Sequence, residues 1–281
     1  MSFTAVKSSP DTTSTFTNPY LCLLLLRLDA RAPRLSKATS LSLPWAQSRE
    51  ASALEDSAAP TNDRFAARLR GFGPLGILAI LIILGGNFVI APLSAILVLV
   101  WAKISKTPWR EIGYVRPRSL VSTIAVGIIF GIAFKFAMKA LVMPLFGAPP
   151  INQAYQFVTG NSAVIPVMIY TMIVTAGFGE ETFYCGWMFE RLGKLFGKGM
   201  TAKISIVLIT TILFASIHYP EQGWPGVEQA FCTGLIFASI FATTGRIFML
   251  MIAHAAFDLT ALWMIYYGLE THVAHLIFSS P

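Results

Sequence analysis

From residue 71 onward the chain is a succession of apolar runs, each close to the roughly 20 residues a helix needs to cross about 30 Å of hydrocarbon. This pattern constrains the fold more than any other feature. The runs are continuous and lack the alternation of barrel strands, so they predict helices. They fall at about 73–102, 120–143, 163–190, 203–218, 224–243 and 247–268. The first carries "GGN" and Pro92, which mark a broken or tilted helix and allow it to hold two short segments. The predicted class is therefore all-α, a polytopic transmembrane bundle of about six to eight helices. Only 12% of residues are charged, about half the share of a soluble domain.

Residues 1–70 differ in kind. They are rich in Ser, Thr, Ala and Pro, with scattered charges and little periodicity, and read as a low-complexity, disordered segment ahead of a membrane domain at 71–281. "LCLLLL" at 21–26 is too short for the core of a cleaved signal. Cys22, Cys185 and Cys232 have no metal or redox spacing.

The net charge of +7 is explained by topology rather than by a nucleic-acid partner. Loop 103–118 holds Lys103, Lys106, Arg110, Arg116 and Arg118, whereas 144–162 holds no lysine or arginine. Loop 191–203 is basic again, 219–223 is not, and Arg246 follows. This alternation follows the positive-inside rule for a multi-pass protein, expected in the cell membrane with lipid as its surroundings. Two details strain the pattern. Lys135 and Lys139 lie within a run and are expected to snorkel outward. Arg64, Arg68 and Arg70 fall on the wrong side if 73–102 crosses once.

Most acids after residue 70 sit in loops or near segment ends; Glu180, Glu181 and Asp258 lie within spans, as do His218 and His254. A carboxylate at mid-bilayer costs about 2.5–3.5 kcal/mol on insertion scales, so such groups usually face a protein cavity. Interhelical hydrogen bonding alone would account for one such residue, but less readily for five on three segments. Measured from the nearest basic residue at about 1.5 Å per residue, Glu180, His218 and His254 lie roughly 16, 22 and 12 Å deep, compatible with one pocket. Asp258 follows His254 by four residues and shares its helix face, placed to orient the imidazole. Adjacent Glu180 and Glu181 diverge by about 100° on an α-helix, so one is expected in the pocket and the other against a neighbour. A carboxylate there suits a general base acting on water.

Three short motifs occur in order on successive apolar segments: "EETFYC" at 180–185, "FASIH" at 214–218 and "HAAFD" at 254–258. Together they resemble the EExxxR, FxxxH and HxxxN/D motifs of the CAAX prenyl protease and bacteriocin-processing (CPBP, or Abi) intramembrane proteases. The resemblance extends over about 109–268. It implies an intramembrane endopeptidase in which Glu180 and His218 activate water, while His254 and Asp258 stabilise the oxyanion or complete a metal site. It also implies that Glu181 pairs with the motif's arginine, a position held here by Cys185. A thiol cannot neutralise Glu181, and an apolar setting makes Cys185 a poor nucleophile.

Two cofactor readings stand level. Glu180, His218 and His254 match a zinc-type His₂Glu set with an open water position, and the same residues can act without a divalent metal. The partner expected is a peptide or protein substrate whose identity the residues do not specify. Two other function classes remain: a catalytically inactive immunity or scaffold protein, favoured by Cys185, and a proton-coupled transporter, since buried acids and histidines also form relays.

Overall fold

The first apolar run does conceal two segments. The computed structural model describes residues 61–89 and 92–278, all within a compact unit that begins at residue 58. Of residues 1–70, assigned above to disorder, 1–60 lie outside the described residues, and Thr61–Arg70 is instead a helix whose Ala66 is buried. Nine helical elements serve as landmarks: α1 (Thr61–Arg70), α2 (Pro74–Val89), α3 (Leu93–Ile104), α4 (Leu120–Leu145), α5 (Ser162–Phe196), α6 (Met200–Ser216), α7 (Tyr219–Thr244), α8 (Phe248–Tyr266) and α9 (Glu270–Ala274). Among the described residues there is no strand.

α4, α5, α7 and α8 are each long and apolar enough to cross a membrane, and α1–α2 forms a further candidate span bent by 59°. Their outward faces carry exposed Val121, Ile129, Val167 and Trp263. Apolar surface at this density suits lipid rather than water. The chain is an integral membrane protein.

The hairpin formed by α2 and α3 removes the charge misfit. The end of α3 returns to the start of the unit: the Trp101 indole donates to the Leu69 carbonyl at 3.1 Å, and Lys106 pairs with Asp63. Arg191, at the far end of α5, donates to the Arg70 carbonyl at 2.7 Å. Arg64, Arg68 and Arg70 therefore share a side with the basic loop 103–118 and with Arg191. The run goes in and returns, which a single crossing could not do.

Local chemistry sets several boundaries. Ser119 caps α4 by accepting from the Ser122 amide, satisfying one of the amides left open at a helix start. Gly245, at φ +62, closes α7 in the left-handed region that glycine enters without strain. α7 is kinked at Gly223 (φ +63), just beyond His218.

α8 packs between α4 and α5, its most extensive neighbours. Both contacts depend on a missing side chain. A Cβ on Gly131 of α4 would lie 2.2 Å from the Ala253 carbonyl, and one on Gly177 of α5 would lie 2.7 Å from the Met251 carbonyl. These close approaches clamp the stretch of α8 that carries His254 and Asp258. Gly131→Ala is expected to destabilise the protein by about 1–3 kcal/mol through overpacking, seen as a lowered melting temperature in detergent. Gly193→Ala, where nothing lies within 4 Å, is the control and should not melt earlier.

The lysines do not snorkel. Lys135 and Lys139 are 6% and 8% exposed. Lys139 pairs with Glu270 at 2.8 Å, and Glu270 also accepts from the Asn152 amide and the Gln156 side chain. This clamp fixes loop 146–161 and α9 to the end of α4. An inward partner removed the need to reach the interface.

Candidate functional site

α5 changes its winding where the two glutamates occur. Thr171–Trp187 is a π-helix, with i→i+5 hydrogen bonds in place of i→i+4. Such segments are rare and tend to occur at functional sites. A turn that holds more residues separates neighbouring side chains by less than the 100° of an α-helix. The two glutamates still diverge, as the sequence predicts: Glu180 lies on the Nε2 side of His254 and Glu181 on the Nδ1 side, buried against its neighbours.

The geometry at His254 is close. Its Nδ1 lies 2.8 Å from Glu181 Oε1. On the other side Nε2 is 3.7 Å from Glu180 Oε2 and 3.7 Å from Asp258 Oδ2. The imidazole is thus ringed by three carboxylates, one in hydrogen-bond contact and two just beyond it. The spacing of α8 pointed to Asp258 as the orienting carboxylate. The structure assigns that contact to Glu181, from a different helix. Asp258 shares the face of His254 but stays at ion-pair distance.

His218 lies just past the end of α6, half-buried. Its Nδ1 is 2.8 Å from the Phe214 carbonyl, so Nδ1–H donates there and Nε2 is left free to accept. The Phe214 ring sits edge-on to both histidines, at 4.8 Å from His218 and 6.0 Å from His254. This aromatic wall separates them from the α6–α7 packing.

Glu180, His218, His254 and Asp258, from α5, the end of α6 and α8, all line one cavity of about 780 Å³. Its wall also includes Asn87, Lys135, Tyr155, Glu221, Gln222 and Gln229, residues that the motif reading did not select. Tyr155 comes from the loop that Glu270 clamps. Burial, reinforced by the charges of Glu221, Asp258 and Glu180, pushes its phenol up to about 12. It therefore stays a neutral O–H donor at working pH, and titration of the site must come from other groups. Nothing in the local sequence marked Tyr155; its contribution depends on the loop folding back over the cavity.

Glu181 does not line that cavity. It is 4% exposed and borders a small void of about 20 Å³ with Cys185, Thr211 and Phe214. Its Oε2 has no hydrogen-bond partner among the described residues. Cys185 packs with Phe237, Phe241 and Leu250. The void has room for about one water, so the arginine of the family motif would not fit at 185 without movement of these walls.

The conditional metal set was Glu180, His218 and His254. Among the described residues no three His, Cys, Asp or Glu side chains are grouped so as to hold a metal ion. In each histidine Nδ1 is held, by Glu181 and by the Phe214 carbonyl, which leaves Nε2 as the nitrogen a metal would take.

Residues 162–260 match a family model described as Rce1-like, type II CAAX prenyl endopeptidase Rce1-like. This span contains all three motifs, from Glu180 to Asp258, and so falls on the residues that carry the CPBP resemblance. Curated proteins and solved structures give no significant match.

Proposed function

We propose that this chain, an Rce1-like protein over its central span, is an intramembrane endopeptidase that hydrolyses a peptide bond with a water activated by Glu180 and His218. The reading rests on the convergence of Glu180, His218, His254 and Asp258 from three helices on one large cavity within a membrane bundle. Lipid surrounds the protein, and a peptide or protein segment is the substrate.

Glu180 takes one proton from water as the oxygen attacks the carbonyl carbon, and the free Nε2 of His218 accepts a hydrogen bond from the same water. The carbonyl π electrons move onto oxygen, forming a tetrahedral oxyanion. His254, as imidazolium, donates from Nδ1 to Glu181 and from Nε2 toward that oxyanion. Asp258, an acceptor when ionised, contributes through His254 and not by direct contact. The carbon–nitrogen bond then breaks, and the leaving amine takes the proton held by Glu180. Every step uses the chain's own side chains.

The test is cleavage of fluorogenic peptides, with and without a prenylated cysteine, by purified protein in nanodiscs. Cleavage is expected, and prolonged chelation should leave the rate unaltered. Loss of activity on chelation, restored by zinc, would overturn the metal-free mechanism. Failure to cleave any peptide would favour the scaffold reading, which Cys185 in the arginine position supports.

A further inference from the structure

Two buried lysines on α4 differ in one respect. Lys139 is fully paired with Glu270. Lys135, one turn earlier and equally buried, has no carboxylate within 4 Å among the described residues. Its Nζ donates to Gln229 Oε1 at 2.8 Å and stands 4.6 Å from the Phe257 ring centroid. Both partners are neutral. Asp258 and Glu270 act on it at longer range, but the first faces His254 and the second is held by Lys139. An ammonium has three donors, and Gln229 engages one of them.

Lys135, Gln229 and Phe257 all form part of the wall of the cavity that holds Glu180 and His254. Lys135 is the one lysine or arginine among the described residues in that wall. An isolated charge taken out of water is costly unless it is paired and hydrogen-bonded. The cavity is therefore built with a cation whose partner must arrive from outside. Three acids, Glu180, Glu221 and Asp258, share the same wall. They oppose a multiply charged anion such as a phosphate, whereas a singly charged carboxylate matches one ammonium.

We propose that Lys135, with Gln229 beside it, is the subsite that receives a carboxylate of the substrate peptide. This rests on the endopeptidase reading of the cavity. The carboxylate comes from either the peptide's C-terminus or an Asp or Glu side chain; the chemistry is shared and experiment separates the two. Lys135 is thus a specificity-determining residue, one helix away from the reacting groups.

The experiment uses one peptide sequence in three forms: a free C-terminal carboxylate, a C-terminal amide, and the amide with an added internal Asp. Binding is measured by fluorescence anisotropy to detergent-solubilised Glu180→Gln protein, and cleavage with the unsubstituted protein. A carboxylate-bearing form should bind more tightly than the amide by about 10- to 100-fold, the effect of a hydrogen bond to a charged group. Preference for the first form identifies the C-terminus as the source, and preference for the third identifies a side chain. Lys135→Met should collapse the preference to near unity, and Lys135→Arg should keep most of it. Equal binding of all three forms, or a preference that survives Lys135→Met, overturns the proposal. If Lys135→Met does not fold, the comparison in lysine-containing protein and in Lys135→Arg still decides. Binding selectivity is read without catalysis, so it can stand if no peptide is cleaved, while cleavage without selectivity removes the subsite alone.

Discussion

Glu180→Gln is expected to lower turnover by about 10²–10⁴-fold, the usual worth of a general base, while the protein accumulates and melts as the unsubstituted chain does. The amide keeps the shape of the side chain but cannot take a proton. Glu180 faces the cavity and its carboxylate is 3.7 Å from His254 Nε2, too long for a hydrogen bond that packing would miss. Removing a charge from the membrane interior should not harm folding. The measurement pairs single-turnover cleavage with a melting curve on the same sample. Full activity in the variant would end the protease mechanism. A protein that no longer accumulates would assign the glutamate a structural role.

The membrane fold was legible because hydrocarbon thickness imposes a length on every apolar run, and that length survives without knowledge of any contact. The broken first run was legible for the same reason, since "GGN" and Pro92 interrupt it. Motif spacing located Glu180, His218, His254 and Asp258, and the structure brings these four to one cavity. What spacing could not supply was anything that depends on a second helix. Asp258 looked like the partner of His254 because four residues separate them, yet Glu181 on α5 holds the ring. The divergence of Glu180 and Glu181 was legible and holds even in the π-helix of Thr171–Trp187, but which neighbour receives Glu181 was not. Lys135 and Lys139 resembled interfacial lysines in isolation. Their inward partners, Gln229 and Glu270, lie far along the chain.

Glu181→Gln is expected to cost about as much as loss of the base, although Glu181 does not line the reaction cavity. Its Oε1 fixes Nδ1 of His254 at 2.8 Å, which leaves Nε2 to face the reacting groups. In a Ser-His-Asp triad, a carboxylate-to-amide change at the corresponding contact lowers kcat about 10⁴-fold, and the carboxylate there orients the ring and stabilises the imidazolium. The same logic predicts a fall of about 10²–10⁴-fold in kcat here, with little change in KM, since Glu181 touches no part of the cavity where a peptide would lie. Stability should hold, because the amide oxygen can still accept from Nδ1–H and a neutral His254 leaves no unpaired buried charge. A double-mutant cycle separates positioning from scaffolding. If Glu181 acts through His254, then Glu181→Gln should add almost nothing to the loss already produced by His254→Ala. The ¹⁵N shifts of the His254 ring should also change in Glu181→Gln at unaltered melting temperature. Additive losses, with the ring shifts unmoved, would mean that Glu181 supports α5 packing and that another group orients His254.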